Sequence, residues 1–217
     1  MNIEKNLKSI KEDLPAEVTL VAVSKTKSTS MIMEAYNAGQ RDFGENKVQE
    51  MTAKWEELPK DIRWHMIGHV QRNKVKYMSD FVSLIHGVDS HRLLVEIDKR
   101  ARNSERIIDC LLQVHIAEEE SKFGFDEAEI IDLLDSGKLE SLKNVRLLGL
   151  MGMATFTEDS EQVRREFRGL KKLYDRLKER LPDFRELSMG MSGDYQIGIE
   201  EGSTMVRIGS SIFGARN

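Results

Sequence analysis

The sequence predicts an α/β fold, a single-domain (β/α)8 barrel, on three observations. Eight short apolar runs recur at intervals of roughly 20 to 35 residues, each followed by an amphipathic or charged stretch, the rhythm of alternating strands and helices. Several runs, notably the first, fifth and sixth, lack strict polar alternation, as parallel strands covered on both faces do. Three prolines and no Gly/Ser-rich tract leave no flexible linker, so the 217 residues form one domain, 1–217. That length is near the lower end for a closed barrel, and an open doubly wound sheet is the competing arrangement.

In chain order, a helix at 3–12 precedes the first run, VTLVAVS (18–24). A helical pattern at 29–38 leads to RDFGEN (41–46), and another at 46–57 leads to RWHMIG (63–68). Helical patterns at 71–79 and 91–104 flank FVSLIHGV (81–88). DCLLQVHI (109–116), a helix at 126–137 and VRLLGLMGM (145–153) follow. The longest helical pattern, 159–180, carries Val163, Phe167, Leu170, Tyr174 and Leu177 at three- or four-residue steps with charges elsewhere, a core-facing stripe with a solvated back. FRELSMGM (184–191), a short helix near 194–201 and MVRIGSSI (205–212) complete the series.

A formal charge of −4 and a pI near 5.8 give no global attraction to nucleic acid or to an anionic membrane. The single cysteine, Cys110, lies in the apolar run CLLQV and reads as a small core residue with no disulfide partner. The N-terminal MNIEKNLKSIKEDL lacks the apolar region of a signal peptide, and no run of about 18 apolar residues exists, so a cytoplasmic protein is expected.

Chemistry enters at the end of the first run. Side chains two apart on a strand share a face, so Val21, Val23 and Lys25 point one way, and Lys25 falls where a barrel's C-terminal mouth begins. A free lysine has a pKa of about 10.4; an apolar floor disfavours its charged form and makes the amine competent to attack an aldehyde. The bland alternative is a lysine that simply begins a surface loop. At the far end of the chain, SMGMSGD (188–194) and VRIGSSIFG (206–214) place glycines and hydroxyls after the seventh and eighth strands, where barrels often hold phosphate. Ordinary turn chemistry explains either cluster alone. Arg207 sits inside a predicted strand and needs a partner, a carboxylate or a ligand acceptor.

These features together resemble the pyridoxal-phosphate homeostasis (PLPBP) family, single-domain relatives of the barrel domain of alanine racemase. The matching segments run almost end to end: AVSKTKS (22–28), FGENKVQE (43–50), WHMIGHVQRNK (64–74), SKFGF (121–125), GLMGM (149–153), SMGMSGD (188–194) and VRIGSSIFG (206–214). The resemblance implies an alanine racemase N-terminal-domain-like barrel, fold type III among pyridoxal-phosphate proteins, with pyridoxal 5′-phosphate as cofactor. It implies a Schiff base on Lys25, Asn46 near the ring, Ser188, Met189 and Ser192 along the ring or phosphate side, Gly209 and Ser210 as phosphate donors, and Arg207 facing the pyridine nitrogen. A cationic donor there disfavours ring protonation and weakens the ring as an electron sink. With no second, racemase-type domain after the barrel, the implied role is a non-catalytic carrier and regulator of the cofactor, expected to be a monomer, with pyridoxal-phosphate-dependent apoenzymes as possible partners. A small enzyme such as an amino-acid racemase is the alternative.

Rival motifs are weaker. His65 and His69 run from a strand into a loop without an accompanying carboxylate or cysteine cluster, so no metal site is expected. His65 is instead assigned to the barrel mouth beside the cofactor. Gly190-Met191-Ser192-Gly193 departs from the G-x-S-x-G nucleophile elbow by one position, and no histidine follows Ser192 to complete a triad.

Overall fold

The structure is a computed structural model that describes residues 2–118 and 123–214. Of the segments singled out above, Ser121 and Lys122 of SKFGF and the end of the chain at 215–217 lie outside the described residues.

Eight strands pair in parallel, each with the next, and the last closes on the first: β1 (Thr19–Val23), β2 (Asp42–Glu45), β3 (Arg63–Met66), β4 (Val82–Val88), β5 (Ile108–Val114), β6 (Val145–Gly152), β7 (Glu186–Met191) and β8 (Met205–Ile208). The closed ring excludes the open doubly wound sheet. Helices α1 (Ile3–Asp13), α2 (Thr29–Asn37), α3 (Val48–Glu57), α4 (His91–Asn103), α5 (Glu127–Asp135), α6 (Ser160–Lys178), α7 (Tyr195–Glu200) and α8 (Ser210–Phe213) surround it. Two details differ from the sequence reading. The stretch between β3 and β4 is a 3-10 helix, Arg72–Tyr77. The eighth strand stops at Ile208, and the apolar residues that prolong its pattern belong to α8.

Helix starts follow local chemistry. Ser28 and Ser90 cap α2 and α4 by accepting from Met31 N and Leu93 N, and Asp126 with Glu129 forms a reciprocal capping box on α5. Alternate strand residues separate two apolar regions. Val21, Leu84, Leu111, Leu148, Met151 and Met205 fill the barrel interior, while a larger set including Phe43, Trp64, Ile85, Cys110, Phe167 and Leu187 packs between sheet and helices. Cys110 is fully buried there, and burial, with Asp109 nearby, pushes its thiol far up, which leaves it an inert core residue.

Candidate functional site

The β1–β8 pairing brings the two ends of the chain together. Val21 lies opposite Arg207 and Ala22 opposite Ile208, so the residues that follow these strands, Lys25 and Gly209, emerge side by side at the C-terminal mouth. Gly209 packs against Val23; a Cβ there would sit 3.1 Å from the Val23 carbonyl oxygen. On the other flank β1 pairs with β2, with Val23 opposite Gly44, and Asn46 follows β2 directly. β7 adds the turn after Met191, where Ser192 Oγ accepts from Gly209 N at 3.2 Å. Asn46, Lys25, Gly209, Ser210 and Ser192 therefore form one arc over four adjacent strands. Ser210 is exposed and the other four are half-buried.

Lys25 stands on a fixed turn. Thr26, next in the chain, has φ 64°, a left-handed conformation that a β-branched residue rarely adopts. Its N–H donates to Glu50 Oε1 at 2.6 Å, and on the other side of Lys25 the Ser24 carbonyl accepts from Lys54 Nζ at 2.8 Å. The same Lys54 ammonium donates to Glu45 Oε1 at 2.8 Å and Glu50 Oε1 at 2.7 Å, and Ser24 Oγ donates to Glu45 Oε1 at 2.6 Å. Glu45 is fully buried; burial raises its carboxyl despite Lys54, and its Oε2 has no hydrogen-bond partner among the described residues. This clamp of Ser24, Glu45, Glu50 and Lys54 was not legible in the sequence, because Lys54 reads as a solvated position of an amphipathic helix.

Beneath the arc lies Arg207, buried inside the barrel. Its two terminal nitrogens donate to Ser188 Oγ at 2.6 Å and to the Gly152 carbonyl at 3.0 Å. No carboxylate lies within ion-pair distance of it among the described residues, so of the two partners the sequence left open the carboxylate is not the one found, and neutral protein acceptors take these two donors. Burial lowers its guanidinium to about 10, partly opposed by Asp194, and it stays charged at neutral pH. Asp194 itself is pushed up by burial, against a hydrogen bond from Met191 N at 2.5 Å and the field of Arg207.

Two sequence assignments are corrected. His65 does not reach the mouth: it is in the barrel interior, with Nε2 at 3.1 Å from Asp42 Oδ1, at the start of β2, and Nδ1 at 3.0 Å from His86 Nε2. Strand alternation turns His65 inward with Arg63, and its ring is held on Asp42, the first residue of β2, and on His86 of β4 rather than directed to the mouth. Met189 belongs to the layer between sheet and helices, because Ser188 before it faces inward and strand side chains alternate. His86, which the sequence shows only as part of an apolar run, contacts Ser188 Oγ at 3.0 Å.

Residues 1–217 match the family model described as alanine racemase, N-terminal domain. The chain is 44% identical over 199 residues to the pyridoxal phosphate homeostasis protein of Aquifex aeolicus, covering 91% of this chain and 86% of that protein. The protein of the same name from Escherichia coli is 40% identical over 209 residues, covering 94% and 88%. PipY of Synechococcus elongatus, solved with PLP bound, is 37% identical and superposes with a TM-score of 0.88 over 98% of this chain and all of that one. Alanine racemase from Bartonella henselae, at 16% identity and a TM-score of 0.74, covers 99% of this chain and 58% of its own and shares the fold alone. A closed parallel barrel, end-to-end match to the family model and full-length relatives at these identities lead to one conclusion: the chain belongs to the alanine racemase N-terminal domain family, among its pyridoxal phosphate homeostasis proteins.

Proposed function

We propose that the chain binds pyridoxal 5′-phosphate covalently at Lys25 and acts as a non-catalytic carrier and regulator of that cofactor. The observation that supports the reading is the β1–β8 seam, which brings the turn carrying Lys25 next to the Gly209–Ser210 segment, itself tied to Ser192. The residues fit the group: an amine for the aldehyde, hydroxyls and backbone N–H groups for the phosphate, and a buried guanidinium with neutral protein acceptors for the ring nitrogen. Lys25 would hold the group through its aldehyde, and the chemistry the group would supply there is imine formation with loss of water, without a change of oxidation state. Arg207 donates and cannot readily accept a proton, so a ring nitrogen held there would be kept unprotonated and the ring would be a weak electron sink. That property, with the names of the relatives, favours carriage over turnover.

In the same reading Asn46 borders the ring, Ser188 acts through Arg207, and Met189 contributes no ring contact. The protein is a cytoplasmic monomer of one barrel domain that hands its cofactor to apoenzymes. No helix among the described residues is long and apolar enough to cross a membrane. The purified protein is expected to take up pyridoxal phosphate with a visible absorption band, and borohydride followed by peptide mass mapping should place the adduct on Lys25. An adduct elsewhere, or none, overturns the reading. Racemisation of any amino acid that is abolished by Lys25→Ala overturns the carrier role in favour of a small enzyme.

A further inference from the structure

An unbroken file of polar side chains crosses the apolar interior of the barrel. Arg63 begins it at the N-terminal end, with Nε and one terminal nitrogen on the two Asp42 oxygens at 2.6 and 2.5 Å. Asp42 then meets His65, His65 meets His86, His86 meets Ser188, and Ser188 meets Arg207 below the candidate site, each link between 2.6 and 3.1 Å. His65, His86, Ser188 and Arg207 are all buried. The remaining acid near His65 is Glu186 on β7, which accepts from Thr204 Oγ1.

We propose that Asp42, His65 and His86 are positioning residues for Arg207, forming a one-way hydrogen-bond relay that fixes the Ser188 hydroxyl and ties the buried guanidinium to the Asp42 carboxylate. The polarity follows from donor and acceptor inventory. Asp42 only accepts, because burial, which would raise its carboxyl, is outweighed by hydrogen bonds from His65 and Arg63 that hold it at about 2. His65 must therefore carry its proton on Nε2. With a neutral ring its Nδ1 accepts, so His86 donates from Nε2 and accepts at Nδ1, and Ser188 donates its proton to that nitrogen. Burial first, then the nearby Arg207 guanidinium, keeps His86 neutral. Ser188 Oγ is left to accept from Arg207, which only donates. Protonating His65 would reverse both downstream links and leave the Ser188 hydroxyl proton with no acceptor among its recorded partners. One arrangement alone satisfies every group in the file.

The role at the ring rests on the cofactor reading above; the polarity of the relay does not. Nitrogen-15 spectra of histidine-labelled, cofactor-free protein at neutral pH should show both His65 and His86 as neutral rings protonated on Nε2. A proton on His86 Nδ1, or a doubly protonated ring at either position, overturns the relay. In protein loaded with pyridoxal phosphate, Asp42→Asn should weaken binding by about threefold or more, the range of coupling within one hydrogen-bonded network, and shift the pH midpoint of the visible band. Unchanged affinity and an unchanged pH profile overturn the positioning role. Failure of the wild-type chain to take up pyridoxal phosphate overturns the cofactor reading and the role at the ring together, while the nitrogen spectra still decide the polarity.

Discussion

Lys54 uses all three of its ammonium hydrogens on the turn that presents Lys25, and two of its partners are carboxylates. Removing a buried partner leaves the fully buried Glu45 without compensation, which costs about 3–5 kcal/mol. Lys54→Met should lower the urea midpoint accordingly, and adding Glu45→Gln should recover part of the loss, since an amide needs no counterion. Asp42 predicts a pH dependence. Its folded carboxyl titrates at about 2, below the ordinary 3.8, so between those values the unfolded chain binds a proton that the folded chain does not. The stabilisation, about 2 kcal/mol, is present above pH 4 and is lost as pH falls towards 2. Asp42→Asn should be the less stable protein at pH 6 by about that amount and should converge with wild type in acid. Glycines at the rim act by proximity. A Cβ on Gly68 would lie 2.4 Å from the Asn46 carbonyl oxygen, and one on Gly87 would lie 2.5 Å from that of Gly68. Gly68→Ala should destabilise by about 1–3 kcal/mol on chemical denaturation, through overpacking of backbone against backbone.

Among the elements, α6 shows what periodicity reveals and what it hides. Its stripe of Val163, Phe167, Leu170, Tyr174 and Leu177 is buried as the spacing predicts. Phe167→Ala should cost about 3–5 kcal/mol by thermal or urea unfolding, and the exposed Lys172→Ala within about 0.5. Glu166, also buried, escapes that pattern: it accepts from Thr155 N and Oγ1, both at 2.7 Å, and so anchors the loop that leaves β6. Short elements were legible less well. The 3-10 helix Arg72–Tyr77 has the same i, i+3 signal as an α-helix over so few residues, and α8 continues the apolar pattern of β8 without a break. Lys25 and Arg207 were legible because a charge ends or interrupts an apolar strand. His86 and Lys54 were not, since their partners Ser188, Glu45 and Ser24 meet them only after distant strands align.

For the molecule as a whole, the eight-strand count and parallel order were readable from the apolar rhythm and pointed to a closed barrel, while the pairing of β8 with β1 that decides against the open sheet is visible only in the structure. A ligand that binds only the closed form stabilises it by mass action. Pyridoxal phosphate at a hundred times its dissociation constant should add about 2.7 kcal/mol, seen as a rise in melting temperature that Lys25→Ala abolishes. The seam has a consequence for biogenesis. Lys25 follows the first strand of the barrel and Gly209 and Ser210 follow the eighth, so they come together only once the final strand has docked. If the proposed site is the one used, a half-assembled barrel would offer the amine without the phosphate cradle, and tight capture of the vitamin would report that the ring has closed.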